Sequence, residues 1–219
     1  MSVENKQTLE VYQKTAHMYL TNTVEHDLLD PEKAKRKREK LNLFIAESFG
    51  SLNKGAKIFE IGSGDGTNAK YLSDIGYCVT ASDTADDFIM ATQEKCNDVI
   101  KLDVLQDDFP EKYNGIFCWR VFVHFTKEDA MRVLGKVYEN LEAGGIFVFN
   151  AINRETKSCD AEWVDFPGEY HMGVERYYSY FTQKELDEMI AKIGFTVQEF
   201  HFEGGDSGNK WLVYVLKKQ

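Results

Sequence analysis

Three acidic residues, Glu60, Asp83 and Asp103, stand at or just after apolar segments in the first half of the chain. The first of them opens the run Glu60-Ile-Gly-Ser-Gly-Asp-Gly66, in which glycines alternate with other residues. A carboxylate can accept hydrogen bonds from sugar hydroxyls or balance a cationic group, and glycine lets the backbone approach a ligand closely because it has no Cβ. An apolar strand, a glycine turn and a helix in this order predict a nucleotide-type site at the carboxyl end of a parallel strand.

The glycine spacing favours a ligand without a pyrophosphate. Dinucleotide sites carry G-x-G-x-x-G, whereas this run reads G-x-G-x-G, and a carboxylate two residues before the first glycine would repel a pyrophosphate. Here the chain resembles the class I S-adenosylmethionine-dependent methyltransferases, whose first motif is E/D-x-G-x-G-x-G. The resemblance implies S-adenosylmethionine as the cofactor. It places five residues of the run against that cofactor, mainly at its methionine end: Glu60, Gly62, Ser63, Gly64 and Gly66.

The other two carboxylates follow at the spacing expected of such a site. Asp83 lies 21 positions after Gly62, at the end of the second predicted strand, which is typical of the acidic residue that accepts hydrogen bonds from the ribose hydroxyls. The alternative for Asp83 is a helix cap, shared with Thr84, which we also count as a cofactor-binding candidate. The resemblance assigns Asp103 and Val104 to the adenine, and the alternative for Asp103 is a surface turn.

Aromatic side chains near this edge are candidates for flanking the sulfonium, because a ring face attracts a cation. Trp119 follows the fourth predicted strand, and Tyr12 and Tyr19, seven positions apart, share one face of an N-terminal helix. We count all three among the cofactor-binding candidates. Packing of the N-terminal helix onto the sheet explains the two tyrosines equally well.

Removal of a proton from an acceptor hydroxyl or ammonium needs a base whose pKa lies near the working pH, which favours histidine. His124, a few residues past the fourth strand, is the candidate catalytic base, and the alternative is a structural histidine that orients the loop before Thr126. His171 is a second candidate base, and Glu162 or Asp165 is a third. The candidate contacts to the acceptor are Arg120, His171, Arg176 and Tyr177.

Strand and helix patterns alternate from residue 57 onwards, which indicates an α/β fold with helices on both faces of a parallel sheet. The predicted strands cover residues 57–61, 77–82, 98–102, 114–119, 145–152, 196–203 and 210–217. The predicted helices cover residues 4–20, 31–49, 66–75, 85–95, 127–140 and 182–193, with starts at Asp30, Thr126 and the Thr182…Glu185 capping box.

The resemblance implies a Rossmann-like three-layer α/β/α sandwich. Its sheet would have seven mostly parallel strands and a C-terminal antiparallel hairpin. We expect one domain over residues 1–219, with an N-terminal helical cap at 1–54. Residues 153–180 fit no regular element and are predicted to be an irregular substrate-side insert.

The net charge of −10 argues against generic nucleic-acid binding, which depends on neutralising phosphates. The basic run at residues 33–40 is interpreted as a solvated helix face, with an anionic-substrate or RNA patch as the alternative. No apolar run reaches the ~18 residues of a membrane span. The four cysteines form no C-x-x-C pair, and Cys78 and Cys118 fall in predicted core strands. We therefore expect a cytoplasmic monomer or homodimer without metal or membrane contact.

The segment after the fourth strand narrows the predicted reaction. It reads Cys118-Trp-Arg-Val121 where methyltransferases of DNA adenine or protein glutamine carry Asn/Asp-Pro-Pro-Tyr/Phe, so those acceptors are disfavoured. The resemblance then implies methyl transfer from S-adenosylmethionine to an oxygen or nitrogen of a small-molecule acceptor. The alternatives are a cofactor-binding interaction protein without catalysis, an RNA methyltransferase, and an NAD-dependent reductase, which the glycine spacing disfavours.

Overall fold

The computed structural model describes residues 1–165, 173–204 and 210–219. In these ranges the α-helices are α1 (Val3–Leu29), α2 (Pro31–Ser48), α3 (Thr67–Asp74), α4 (Asp86–Gln93), α5 (Lys127–Asn140) and α6 (Gln183–Ile193). The strands are β1 (Lys57–Ile61), β2 (Cys78–Asp83), β3 (Val99–Lys101), β4 (Tyr113–Cys118), β5 (Leu141–Asn153), β6 (Ala161–Asp165), β7 (Glu175–Phe181), β8 (Phe195–Gly204) and β9 (Lys210–Lys218). Short 3-10 helices at Phe122–His124 and Arg154–Thr156 follow β4 and β5.

Five strands form the main parallel part of the sheet, in the order β3-β2-β1-β4-β5, and β7 also pairs parallel with the end of β5. β9 runs antiparallel to β5, with Ile146 opposite Lys217 and Ile152 opposite Trp211, and β8 pairs antiparallel with β9. The predicted mostly parallel sheet with a C-terminal antiparallel hairpin is confirmed. The predicted count of seven strands is wrong, because the described residues form nine strands, with β6 and β7 added to the seven. Because the five strands are parallel, the residues that follow them meet at one edge of the sheet, which we call the carboxyl edge.

The prediction of an irregular insert at residues 153–180 is wrong over two stretches. β6 and β7 form an antiparallel pair with Trp163 opposite Tyr177, and β7 joins β5 where Ile152 faces Tyr180. Since Ile152 also pairs with β9 on its other side, β7 lies on the β4 side of β5, beyond the end of β4. Tyrosine and phenylalanine favour strands, and the aromatic run from Tyr177 to Phe181 carries that signal, although charged residues stand before it.

Helices cover both faces of the sheet. On one face, Val133 of α5 and Leu186 and Ile190 of α6 enter a core shared with β4 and β5. On the other face, Ile45 and Phe49, at the end of α2, enter a second core. The sheet therefore lies between two helical layers, as a three-layer sandwich requires.

The predicted helix starts are confirmed. The side chains of Asp30, Thr126 and Thr182 cap α2, α5 and α6, and each accepts a hydrogen bond from the backbone N–H three residues later. Glu185 completes a capping box with Thr182, and Phe181 just before it is fully buried. These caps satisfy N–H groups that the first turn of a helix cannot pair internally.

α1 extends to Leu29, well past the predicted end near residue 20. It contacts β7 and α4, and α4 begins just after the carboxyl end of β2. At its start, the Ser2 N–H donates to the buried Asp129 carboxylate at 2.8 Å. α1 therefore crosses the carboxyl edge and becomes part of whatever site is formed there.

The structure also bears on the expectations for the cysteines and for membrane-spanning segments. Cys118 is buried, but Cys78 is exposed at the first position of β2, because only the later residues of that strand enter the core. The prediction of a core position for Cys78 is therefore wrong. Over the described ranges, no helix has both the length and the apolar character needed to cross a bilayer.

Candidate active site

The glycine turn between β1 and α3 has a conformation that other residues rarely adopt. Gly62, Gly64 and Gly66 have φ values of 72°, 55° and 74°. A Cβ on Gly62 would lie 2.3 Å from Cγ2 of Val121, and one on Gly66 would lie 2.8 Å from Cα of Thr92. A Cβ on Gly64 would meet no atom within 4 Å. The turn is thus packed on both sides and open in the middle, where a ligand can approach the backbone.

Asp83 fastens this turn to the end of β2. Its Oδ2 accepts a hydrogen bond from the Gly64 N–H at 3.0 Å, and its Oδ1 accepts from the N–H groups of Thr84 and Ala85 at 2.7 and 3.3 Å. Burial raises the pKa of the Asp83 carboxyl, and these three N–H donors act against that rise. The N-cap residue of α4 is Ala85, so Asp83 braces the glycine turn and does not cap the helix.

Glu60 is a buried carboxyl whose hydrogen bonding is incomplete. It is 1% exposed, its Oε1 accepts from Nδ2 of Asn68 at 3.3 Å, and its Oε2 has no hydrogen-bond partner. Burial raises the pKa of Glu60 to about 8, and the negative charges of Asp65 and Asp83 add to the rise. Such a carboxyl is poised to pair with a cationic group.

Asn68 is a site residue that the sequence reasoning missed. Its Oδ1 accepts a hydrogen bond from Nη1 of Arg38 at 3.0 Å, which fixes the amide so that Nδ2 faces Glu60. Arg38 belongs to the basic run at 33–40, which was interpreted as a solvated face. The only signal in the sequence is the position of Asn68 in the first turn after the glycine run.

Three further cofactor candidates have side chains that are already engaged. The Ser63 hydroxyl is buried 3.0 Å from Oγ1 of Thr92. The Asp103 carboxylate accepts from the Leu105 N–H at 2.9 Å and from Nε2 of Gln106 at 2.7 Å. Val104 is buried in the core. For Ser63 and Val104, only the backbone therefore offers groups to a ligand, and the adenine-binding role of Asp103 stays a prediction.

The three aromatic candidates divide between two places. Tyr12 and Tyr19 lie 6.4 Å apart, ring centre to ring centre, and both contact Phe88 of α4. Trp119 stacks on Phe117 with centres 5.7 Å apart, and its other ring neighbour is Phe44 of α2. Among the ring contacts of the described residues, Trp119 and the two tyrosines are not brought together. The tyrosines pack α1 onto α4 and not onto the sheet, as the alternative interpretation had it, and their role at the cofactor stays a prediction.

His124 is buried and uses both ring nitrogens. Its Nδ1 lies 2.8 Å from the carbonyl oxygen of Tyr177, and because a carbonyl only accepts, Nδ1 carries the proton. Its Nε2 therefore accepts from the Tyr12 hydroxyl at 2.9 Å, and Nη1 of Arg176 donates to the same hydroxyl at 2.9 Å. Burial lowers the pKa of His124 to about 4. This arrangement fits a structural histidine and leaves no nitrogen available to take a substrate proton.

Arg176 belongs to this chain of hydrogen bonds, which we call the Tyr12 clasp (Tyr12, His124 and Arg176), and Tyr177 adjoins it through its carbonyl. Arg176 is 4% exposed, with its guanidinium carbon 5.5 Å from the Tyr12 ring centre. The Tyr177 N–H donates to Oγ1 of Thr8 at 2.9 Å. Glu162 accepts from the Tyr180 hydroxyl. Asp165 ends β6, and His171 lies outside the described residues.

Arg120 follows β4 at the same edge, in the left-handed region with φ 61°. Its N–H donates to Oδ1 of the buried Asn150 at 2.7 Å, and its guanidinium carbon lies 5.8 Å from the Trp211 ring centre. Asn150 is a second residue that the sequence reasoning missed, because nothing around it in β5 distinguishes it. The carboxyl edge thus joins a glycine-turn half, with Glu60 and Asp83, to a half built from α1, β7 and the residues after β4.

Comparison with known proteins was made for the sequence and for the fold. A family model described as "Methyltransferase domain" matches residues 33–199, more than half of the chain. A search of curated protein sequences gave no match. An S-adenosylmethionine-dependent methyltransferase from Clostridium acetobutylicum is 14% identical, with a TM-score of 0.69 over 95% of this chain and 99% of that one.

Two other solved structures have the same fold. Magnesium protoporphyrin IX methyltransferase from Synechocystis, with bound S-adenosylmethionine, is 12% identical, with a TM-score of 0.73 over 100% of this chain and 99% of that one. An S-adenosylmethionine-dependent methyltransferase from Methanosarcina mazei is 17% identical, with a TM-score of 0.67 over 77% and 95%. At these identities the likeness shows the fold, and the match to the family model shows the family. The chain belongs to the methyltransferase domain family, as a class I enzyme that uses S-adenosylmethionine.

Proposed function

We propose that this enzyme methylates an oxygen or nitrogen of a small-molecule acceptor. The observation that carries the proposal is that α1 covers the part of the carboxyl edge formed by β7 and the residues after β4. There α1 is tied down by the Tyr12 clasp and by the bond from the Tyr177 N–H to Thr8, all of it at least partly buried. An edge covered by a helix that is held down in this way suits a compact acceptor better than a polymer.

The residues of the glycine-turn half fit S-adenosylmethionine. Glu60 offers a buried oxygen without a partner, which suits the ammonium of the methionine end, and Gly64 leaves open space above the turn. Asp83 is the residue that would hold a ribose hydroxyl, because its Oδ2 accepts a single hydrogen bond, from the Gly64 N–H, and retains capacity to accept another. When bound, the cofactor supplies a methyl group on a positively charged sulfur, ready for displacement by a nucleophile.

The chain's own contribution to catalysis is orientation and exclusion of water. His124, with a pKa of about 4 and both nitrogens engaged, is too weak a base at neutral pH to drive proton removal. Holding the acceptor in line with the methyl group, in a covered site, removes much of the entropic barrier. We therefore propose that proton loss from the acceptor does not limit the reaction, and that His124 positions Tyr12 and β7.

Transfer to RNA is the alternative with an observation behind it, the basic run at 33–40. One of its arginines, Arg38, is engaged with Asn68, and the whole chain carries a charge of −10. Both facts favour a small acceptor. We further propose that residues 1–219 act as one domain, with 1–54 and 153–180 on the acceptor side. A cytoplasmic location as a monomer or homodimer is part of the same proposal, and the free cysteines are consistent with it.

Transfer of an isotopically labelled methyl group tests the proposal. The protein is incubated with labelled S-adenosylmethionine and, in separate reactions, with a low-mass metabolite extract, total RNA and a protein extract. We expect label in new low-mass products, detected by mass spectrometry, and none in the polymers. The Asp83→Ala variant is the control for cofactor-dependent transfer. Label in RNA or protein alone would contradict the proposed acceptor class, and no label anywhere would favour a non-catalytic role.

A further inference from the structure

Arg120 has an unusual backbone conformation. Of the described non-glycine residues it is the one with positive φ, at 61°. A residue with a Cβ adopts this region at a cost, and such strain persists where the surroundings impose it. Here the imposing contact is the 2.7 Å hydrogen bond from the Arg120 N–H to Oδ1 of Asn150, a side chain that is 1% exposed on β5.

The strained backbone sends the Arg120 side chain over the carboxyl edge. Its guanidinium carbon lies 5.8 Å from the centre of the Trp211 ring, and the side chain is exposed. Within the described part of the chain, no carboxylate lies within 4.0 Å of this guanidinium, whereas Arg132 and Arg154 each pair with an aspartate. Arg120 therefore presents a guanidinium with unused donors to the acceptor side.

A second cation reinforces the positive charge at this place. The guanidinium carbon of Arg176 lies 5.3 Å from the Tyr178 ring centre. Burial raises the pKa of the Tyr178 hydroxyl, and the positive charges of Arg176 and Arg120 both act against that rise. Tyr178 thus lies within reach of both cations, in a chain whose net charge is −10. Two arginines and two aromatic rings, Tyr178 and Trp211, therefore lie close together on this side.

We propose that the methyl acceptor carries a carboxylate and that Arg120 binds it. This inference rests on the proposed small-molecule function and names its acceptor class. The planar guanidinium matches a carboxylate with two parallel hydrogen bonds. Arg176 adds to the positive field, while Tyr178 and Trp211 supply flat apolar surface for the body of the acceptor.

A purely structural role in the turn does not explain why the residue at position 120 is an arginine. A chain that only needs to turn after β4 would be served better by glycine, which adopts positive φ without cost. With arginine there, the same turn also delivers a charge to the edge. The two explanations separate in the Arg120→Gly variant, because glycine keeps the turn and the N–H bond to Asn150 while the guanidinium is lost.

The test uses benzoate and benzamide as matched probes, since they share a flat ring and differ in charge. Each is titrated into the protein saturated with S-adenosylhomocysteine, and binding is measured by calorimetry. We expect benzoate to bind the wild type more tightly than benzamide. In Arg120→Gly, benzoate binding should weaken about tenfold or more, with benzamide unchanged. The melting temperature should be unchanged or higher, because the strain is relieved.

Arg36→Ala is the matched control, because Arg36 is an exposed arginine on α2, outside the site. It should bind benzoate as the wild type does. If Arg120→Gly fails to fold, Arg120→Asn takes its place, because asparagine also tolerates positive φ. Equal binding of the two probes to the wild type would overturn the inference, as would unchanged benzoate binding in Arg120→Gly.

The labelled-methyl experiment distinguishes failure of the carboxylate inference from failure of the proposed small-molecule function. A labelled product that carries no carboxylate group would overturn the carboxylate inference and leave the small-molecule function standing. A labelled carboxylic acid, whose formation in Arg120→Gly shows a raised KM with little change in kcat, would support both. Selective benzoate binding without any labelled product would support the anion site and overturn the proposed function.

Discussion

The two halves of the carboxyl edge are assembled over very different distances along the chain. In the glycine-turn half, Gly64 bonds to a residue 19 positions away, and Asn68 bonds to one 8 positions away. The other half is built from α1, β7 and the residues after β4, and we call it the acceptor half after its proposed role. There, Tyr12 bonds to His124 across 112 positions and to Arg176 across 164. The first half follows from a local backbone shape, and the second exists only when distant elements have packed.

Because of this difference, the two halves should be sensitive to different substitutions. A local turn held by short-range bonds should depend on its glycines and on Asp83. The acceptor half should depend on the buried bonds that hold α1 down. Variants in one half should therefore leave the function of the other half largely intact, and the following substitutions test that independence.

Gly62→Ala should have the largest effect on stability. The added Cβ meets Val121 at 2.3 Å and forces a left-handed alanine, so we expect a loss of about 2–4 kcal/mol in the free energy of unfolding, measured by urea denaturation. Gly64→Ala is the matched control, with open space at its Cβ, and should cost about 1 kcal/mol. If Gly64→Ala weakens S-adenosylhomocysteine binding more than its small stability loss explains, the open space is the ligand's. Equal stability losses in the two variants would contradict this account of the turn.

Asp83→Ala should weaken cofactor binding by about 1.5–3 kcal/mol, since a charged acceptor is lost and the Gly64 N–H is left without its partner. Calorimetric titration with S-adenosylhomocysteine measures the effect. Asp86→Ala, three positions further on at an exposed site, should bind as the wild type does. Unchanged affinity in Asp83→Ala would remove this carboxylate from the site.

Glu60 should make the cofactor-free protein less stable as the pH rises. Its pKa is raised to about 8 from an ordinary value of 4.5, so between these values the folded protein keeps a proton that the unfolded chain releases. Stability should fall from pH 5 to pH 8, and Glu60→Gln should remove that part of the slope. At pH 8 the variant should gain about 1–2 kcal/mol, yet bind S-adenosylhomocysteine more weakly. Glu188→Gln, on the exposed face of α6, should leave the slope unchanged; an unchanged slope in Glu60→Gln would refute the assignment.

Tyr12→Phe should have the smallest effect on stability, about 1 kcal/mol, because one hydroxyl between His124 and Arg176 is removed. We expect faster hydrogen exchange confined to α1 and β7, with S-adenosylhomocysteine affinity retained. Tyr71→Phe removes a hydroxyl that bonds to no described residue, and it should show neither effect. A loss of cofactor affinity in Tyr12→Phe would show that the two halves are not independent.

The same contrast explains how much of the molecule could be predicted from the sequence. The strands, the helix starts and the family follow from patterns within a few residues, such as the glycine run and the Thr182…Glu185 box. Asn150 and Tyr178 could not be found that way. Their importance arises from neighbours on other strands and on α1, and no local spacing records those contacts.

His124 shows why the role of a single residue is hard to predict from the sequence. Its position after β4 predicts a residue at the carboxyl edge, and the structure has it there. Its protonation and its bonds depend on Tyr12 and on the carbonyl of Tyr177, which lie 112 and 53 positions away. Sequence alone therefore left base and structural support as open alternatives, and burial with both nitrogens engaged favours structural support.

The most direct test of the central claim is calorimetric titration of the purified wild-type protein with S-adenosylhomocysteine, run beside NADH. The account predicts micromolar, one-to-one binding of S-adenosylhomocysteine and no binding of NADH, since the glycine run lacks the G-x-G-x-x-G spacing of a dinucleotide site. Binding of NADH, or of neither ligand, would contradict the assignment of the glycine turn to S-adenosylmethionine.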